Sequence, residues 1–92
     1  MYYLYLLKCS DNTLYTGITT NLERRIEEHN SSTTKGAKYT RARRPVKLVY
    51  HETYNDRSLA SKREYEIKKK MSRVEKLELV EGSTRSTVPS VE

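Results

Sequence analysis

Phenylalanine and tryptophan are absent from this chain of 92 residues, and eight tyrosines supply all of its aromatic volume. A tyrosine ring packs well, but its hydroxyl requires a partner. The composition therefore predicts a thin core with phenols at its edge, in keeping with a mean hydropathy of −0.90. A single cysteine, Cys9, excludes an internal disulfide and a multi-cysteine zinc site. No apolar run reaches membrane-spanning length, and the opening YYLYLLK is too short for the apolar region of a signal peptide. The expectation is a soluble, cytoplasmic, monomeric protein with no membrane partner.

Acidic residues are also in short supply, 12 against 18 Lys and Arg, for a net charge of +6. Residues 81–92 hold Glu81, Arg85 and Glu92, so residues 1–80 carry +7. Within 35–47 (KGAKYTRARRPVK) stand Lys35, Lys38, Arg41, Arg43, Arg44 and Lys47, with no acid among them and Tyr39 embedded. Such a run either forms a solvated basic surface or attracts a polyanion, since each neutralised phosphate releases condensed counterions. Its density favours contact with nucleic acid, and the seven residues just named are the candidate contact set.

The chain length allows one domain. Residues 2–9 read as a strand, Ser10–Thr13 as a turn, and residues 14–18 as a returning strand. Thr20-Asn21-Leu22-Glu23 matches a capping box, with Thr20 as the N-cap of a helix running to about Asn30. Residues 31–36 read as a loop, and 37–44 as a short helical turn ended by Pro45. A third strand follows over Val46–Tyr54, then a helix over about 57–70 with Asn55, Asp56 and Ser58 as possible caps. Ser72-Arg73-Val74-Glu75 is a second capping box, opening a last helix that ends near Gly82. The fold class is α+β, a small three-stranded antiparallel sheet flanked by helices in the order β-β-α-(α)-β-α-α. The domain spans 1–82, and 83–92 is expected to be a disordered tail.

On the 57–70 helix, at about 100° per residue, Ala60, Ile67 and Met71 share one narrow stripe, and Glu64 falls in its middle. A carboxylate aimed along an apolar face is costly unless paired. It is either an internal acceptor for tyrosines or an arginine, or a metal ligand at the sheet edge. Glu66 lies off the stripe, on the solvated side. On the first helix Arg25 and His29 stand at i and i+4, side by side, and the planar guanidinium of Arg25 suits phosphate. The plain alternatives are a surface arginine, and a histidine placed at a helix C-terminus by the dipole. Arg24 is expected to be the solvated neighbour. Tyr5 and Tyr15 lie on the two hairpin strands. A two-residue turn would put them on opposite faces of the sheet, whereas a loop of odd length or a bulge puts them together.

These residues, in this order, resemble the GIY-YIG nuclease domain family, specifically its minimal stand-alone UPF0213-type form. Its two triplets correspond to Tyr3-Leu4-Tyr5 and Tyr15-Thr16-Gly17, its arginine to Arg25, a histidine one turn later to His29, and its metal-binding glutamate to Glu64. The resemblance covers about residues 2–80. It implies a catalytic set of Tyr5, Tyr15, Arg25, His29 and Glu64, with Mg²⁺ or Mn²⁺ bound at Glu64. It further implies that Arg25 balances charge developing on the phosphoryl group and that a phenol activates water, Tyr5 as base and Tyr15 orienting. The implied activity is a metal-dependent endonuclease, acting on DNA rather than RNA and selecting structure rather than sequence. The alternative is a non-catalytic nucleic-acid-binding module on the same fold.

Overall fold

The computed structural model describes residues 1–31 and 38–86. The elements are β1 (Tyr2–Lys8), β2 (Leu14–Thr19), α1 (Leu22–Ser31), α2 (Lys38–Arg41), β3 (Lys47–Tyr54), α3 (Arg57–Lys70) and α4 (Arg73–Ser86). Their order is the expected one, and the class is α+β. The expected loop at 31–36 falls almost wholly outside the described residues, and so do Lys35 and the end of the chain from 87 on.

The three strands form one antiparallel sheet in the order β2-β1-β3, with the most apolar strand in the centre. Lys8 faces Leu14 across the hairpin, so five residues, Cys9 to Thr13, close it. An odd loop keeps residues of equal parity on one face. Asn12 takes the positive φ of 68° that the tight return requires, and the Cys9 and Asn12 amides bond to Thr13 O and Cys9 O. Between β1 and β3 the register shifts: Leu6 faces Tyr50 but Leu7 faces Leu48. The extra residue, Val49, is a bulge that turns Leu48 toward one face while Val49 and Tyr50 serve the other.

Two small cores result, one on each side of the sheet. Tyr5, Leu7, Cys9 and Val46 pack with Tyr15, Leu22, Ile26 and Leu48 under α1. Leu4, Leu6 and Ile67 pack with Ile18, Val49, Met71, Leu79 and Val80 under α3 and α4.

Helix ends follow local chemistry with two corrections. The first cap is Asn21, whose Oδ1 accepts from the Arg24 amide at 3.0 Å, rather than Thr20. Thr19 Oγ1 accepts from the Asn21 amide at 3.1 Å, which fixes the start one residue later. Asp56 caps α3 through the Leu59 amide at 2.9 Å. At α4 both halves of the capping box are made, Ser72 N to Glu75 Oε1 at 2.8 Å and Glu75 N to Ser72 Oγ at 3.2 Å. That helix continues through Gly82 to Ser86. Gly82 takes no positive φ, so it is a residue within the helix and not the left-handed terminator expected there.

Candidate active site

Because the hairpin loop is odd, Tyr5 and Tyr15 share the α1 face, with ring centres 6.4 Å apart. Gly17 lies directly opposite Tyr5. A Cβ at Gly17 would stand 2.5 Å from the Tyr5 hydroxyl oxygen, so the missing side chain is the space through which the phenol reaches over β2. This close approach gives the third residue of the second triplet its physical reason.

From α1, His29 enters the same space fully buried. Its Nε2 lies 3.0 Å from the Tyr5 hydroxyl and its Nδ1 2.7 Å from Thr40 Oγ1 on α2. The ring also packs edge-on against Tyr15, with centres 5.2 Å apart. Burial, reinforced by the Arg25 charge, holds the imidazole down to about 4, so His29 is neutral at ordinary pH. It does not serve as a cation on the α1 dipole. That work falls to Arg44, whose guanidinium bonds the carbonyls of His29 and Glu28 at the helix end. Asn30 anchors the same end, taking the Val46 amide at 2.7 Å and donating to its carbonyl at 3.0 Å.

Tyr5 is only 1% exposed. Burial pushes its phenol up to about 12, against a hydrogen bond from Arg25 that acts in the opposite direction. Arg25 also pairs with Glu28 at 3.0 Å and is a quarter exposed, whereas the Arg24 side chain is 58% exposed, as expected for the solvated neighbour.

α3 packs across β1 and β2. Glu64 is half-buried beside the Ala60–Ile67–Met71 stripe and lies close enough for its charge to act on the Tyr5 phenol. Lys68 pairs with it at 3.3 Å and places its ammonium 5.6 Å from the Tyr15 ring centre. Among the described residues no three His, Cys, Asp or Glu side chains gather around a common point. A divalent ion would therefore have one protein carboxylate, completed by water and substrate oxygens. Mg²⁺ is commonly held in this way, by one or two carboxylates plus phosphate, and the donor set at Glu64 fits that pattern and no all-protein cage.

The basic segment divides. Tyr39 stacks on Tyr15 at 5.9 Å and carries the Arg43 guanidinium 4.0 Å above its ring centre. Arg43 also bonds Asp11 Oδ2 at 3.0 Å and the Tyr39 carbonyl at 2.9 Å. Arg43 and Arg44 are thus employed inside the protein, while Lys38, Arg41 and Lys47 are on exposed residues. Five of the predicted residues meet: His29, Tyr15 and Arg25 contact or hydrogen-bond Tyr5, and the Glu64 charge acts on it. The sequence reading missed Thr40, Lys68 and the spacing role of Gly17. Lys68 was within reach of sequence reasoning, because it stands one turn after Glu64 and begins a run of three lysines.

Residues 1–78 match the family model described as the GIY-YIG catalytic domain. The chain belongs to the GIY-YIG family. Like the rest of that family it carries a nuclease-type domain. It is 61% identical over 84 residues to a UPF0213 protein of Desulfotalea psychrophila, covering 91% of this chain and 74% of that one. To a UPF0213 protein of Staphylococcus haemolyticus it is 56% identical over 80 residues, covering 87% and 94%. The solution NMR structure of a UPF0213 protein from Bacillus halodurans superposes with a TM-score of 0.56 at 37% identity, covering 99% of this chain and all of that one. A solution NMR structure of an E. faecalis protein gives 0.59 at 38% identity, covering 99% and 91%. No helix among the described residues is long and apolar enough to cross a membrane.

Proposed function

We propose that this GIY-YIG domain is a metal-dependent endonuclease that hydrolyses phosphodiesters in DNA, selecting by backbone and shape rather than by base sequence. The observation that supports it most is the meeting of two phenols, a neutral imidazole, an arginine and one half-buried carboxylate at the β2 edge. Glu64 would hold Mg²⁺ or Mn²⁺, which supplies Lewis-acid stabilisation of the phosphoryl group and leaving oxygen. Arg25, already drawn toward the Tyr5 hydroxyl, offers its guanidinium to the charge that develops on the phosphate. Lys68 would exchange its pairing with Glu64 for the substrate.

The two tyrosines trade the roles expected from the sequence. Tyr5 is sealed from water, its proton retained by burial and its hydroxyl hydrogen-bonded to the ring of His29. We assign it to positioning. Tyr15 is only partly buried, with an ammonium above its ring, and is the phenol that can meet water or substrate. We assign the base to Tyr15. Neutral His29, hydrogen-bonded to the Tyr5 hydroxyl and to Thr40 and packed on Tyr15, fixes both rings.

The test is cleavage of labelled flap, branched and duplex DNA, with matching RNA, in Mg²⁺ or Mn²⁺, comparing the wild type with Glu64→Ala and Tyr15→Phe. Cleavage by the wild type and a loss of about 10²-fold or more in each variant is expected. Equal cleavage by wild type and Glu64→Ala would defeat the nuclease reading of this site, and cleavage by neither would leave a nucleic-acid-binding module.

A further inference from the structure

A cleft of about 200 Å³ opens beside Tyr15 that the catalytic set does not use. Its walls are Tyr39 of α2, Arg73 and Lys76 of α4, and its floor is Thr13 and Leu14, the residues that lead into Tyr15. Two parts of the chain that are distant in sequence converge here. Arg73 donates to the carbonyl of Asn12 in the hairpin loop at 2.8 Å, which ties the first turn of α4 to the tip of the sheet. On the opposite wall Arg43 lies over the Tyr39 ring.

The acids near this cleft are already engaged. Glu75 turns back to the Ser72 amide at 2.8 Å. Asp11 is held by Arg43 at 3.0 Å and by the Thr13 hydroxyl at 2.6 Å. No lining residue is acidic. A guanidinium has five N–H donors, so the single anchoring bond of Arg73 leaves donors available in a fixed orientation, and Lys76 adds a point charge one turn away on the same helix. An aromatic wall and two cations, with no acid in the lining and both Glu75 and Asp11 already bonded, suit a phosphate flanked by sugar. They do not suit a cation or a carboxamide.

We propose that this cleft is a second phosphate subsite, in which Arg73 and Lys76 hold a backbone phosphate of the strand whose scissile phosphate lies at Tyr15. It deepens the nuclease reading and rests on it only for the position of the scissile bond. The substrate strand then passes between the two basic segments, α2 on one side and the Lys68–Lys76 end of α3 and α4 on the other. The partner is a polynucleotide long enough to fill both positions, and a mononucleotide is not.

The experiment is binding of a short fluorescein-labelled oligodeoxynucleotide, single-stranded and duplex, by fluorescence anisotropy in EDTA across a salt series. The proteins are the wild type, Arg73→Gln/Lys76→Gln, Lys76→Gln alone, and Lys62→Gln on the exposed outer side of α3. One phosphate contact contributes about 0.7 (single strand) to 0.9 (duplex) to the slope of log K against log salt. The double variant is expected to flatten the slope by about that amount, Lys76→Gln by part of it, and Lys62→Gln by none, at unchanged circular dichroism. Lys76→Gln spares the Asn12 anchor and keeps the test valid if the double variant is less stable. A double variant or Lys76→Gln that flattens the slope no more than Lys62→Gln would overturn the subsite, as would a wild type that does not bind. Because EDTA removes catalysis, a flattened slope in a protein that never cleaves would defeat the nuclease reading while leaving the subsite standing.

Discussion

His29 joins three elements through one ring, and its protonation is the residue-level event with a readable consequence. Below the ordinary value of 6.5 the unfolded chain takes up a proton that the folded imidazole, held near 4 by burial and by the Arg25 charge, refuses. Its contribution to stability is therefore complete above about pH 6.5 and is lost progressively as pH falls toward 4. A shift of this size corresponds to at most about 3 kcal/mol. Urea denaturation at about pH 7 and about pH 4.5 measures it: His29→Gln is expected to lose less stability on acidification than the wild type does. Carboxylates titrate in both proteins, so the difference isolates His29, and equal losses would place the proton elsewhere. The sequence located this residue beside Arg25 at i+4 and, through the family resemblance, in the catalytic set; its plain alternative, a cation on the helix dipole, is excluded by its burial. Its burial depends on Thr40 and on the lean of Tyr5 over Gly17, both tertiary facts that no local pattern carries.

At the scale of elements, α3 is held on the sheet by a polar cluster on the face opposite the candidate active site. Glu52 projects from β3 and accepts from Arg63 Nε and Nη2 at 3.0 and 3.1 Å, and from the hydroxyls of Tyr50 and Tyr54. Arg63 also reaches Glu66 at 2.6 Å, so Glu66 is exposed but not idle. Burial alone would push the Glu52 carboxyl up, yet Arg63 and the two phenols outweigh it and hold the group below its usual range. Both phenols are pushed up to about 12 by burial and by the carboxylate they bond. Arg63→Met leaves that carboxylate with phenols but no counter-charge. The expected cost is about 2–4 kcal/mol, below the loss for a fully buried pair because both side chains keep some exposure. Adding Glu52→Gln to Arg63→Met should restore part of it, and a double variant no more stable than Arg63→Met would show that the pair is not the determinant. The α3 stripe and the Ser72–Glu75 box were legible because their partners lie three or four residues apart. This cluster was not: alternation sets Glu52 among Leu48, Tyr50 and Tyr54, but its counter-charge, Arg63, lies 11 residues away and meets it only when α3 is laid across the sheet. The Thr20 cap was misread for a related reason: Asn21 and Thr20 are both good caps, and the bond from Thr19 decides between them.

For the whole molecule the sheet separates labour. The Leu4–Leu6 face carries an apolar core, the Glu52 cluster and two long helices, while the Tyr5–Tyr15 face carries a thin core and the candidate chemistry. Glu64 belongs to a helix of the first face, yet its charge acts on Tyr5 and its partner Lys68 reaches Tyr15, both of the second. Its pairing with Lys68 is the partly exposed i,i+4 kind, worth about 0.3–0.5 kcal/mol. Against that stands the desolvation of a half-buried carboxylate. Glu64→Gln should thus leave the melting temperature unchanged or raise it slightly while removing cleavage. Ile67→Ala, one turn further along and fully buried, should cost about 2–5 kcal/mol. Calorimetry on the two variants, run beside the cleavage assay, compares them directly. If Glu64→Gln lowers the melting temperature as far as Ile67→Ala does, Glu64 is a structural acceptor, the other reading its position on the stripe allowed. If stability holds and cleavage is lost, an anion has been kept beside an apolar stripe for what it does to substrate, since it gives the fold nothing in return.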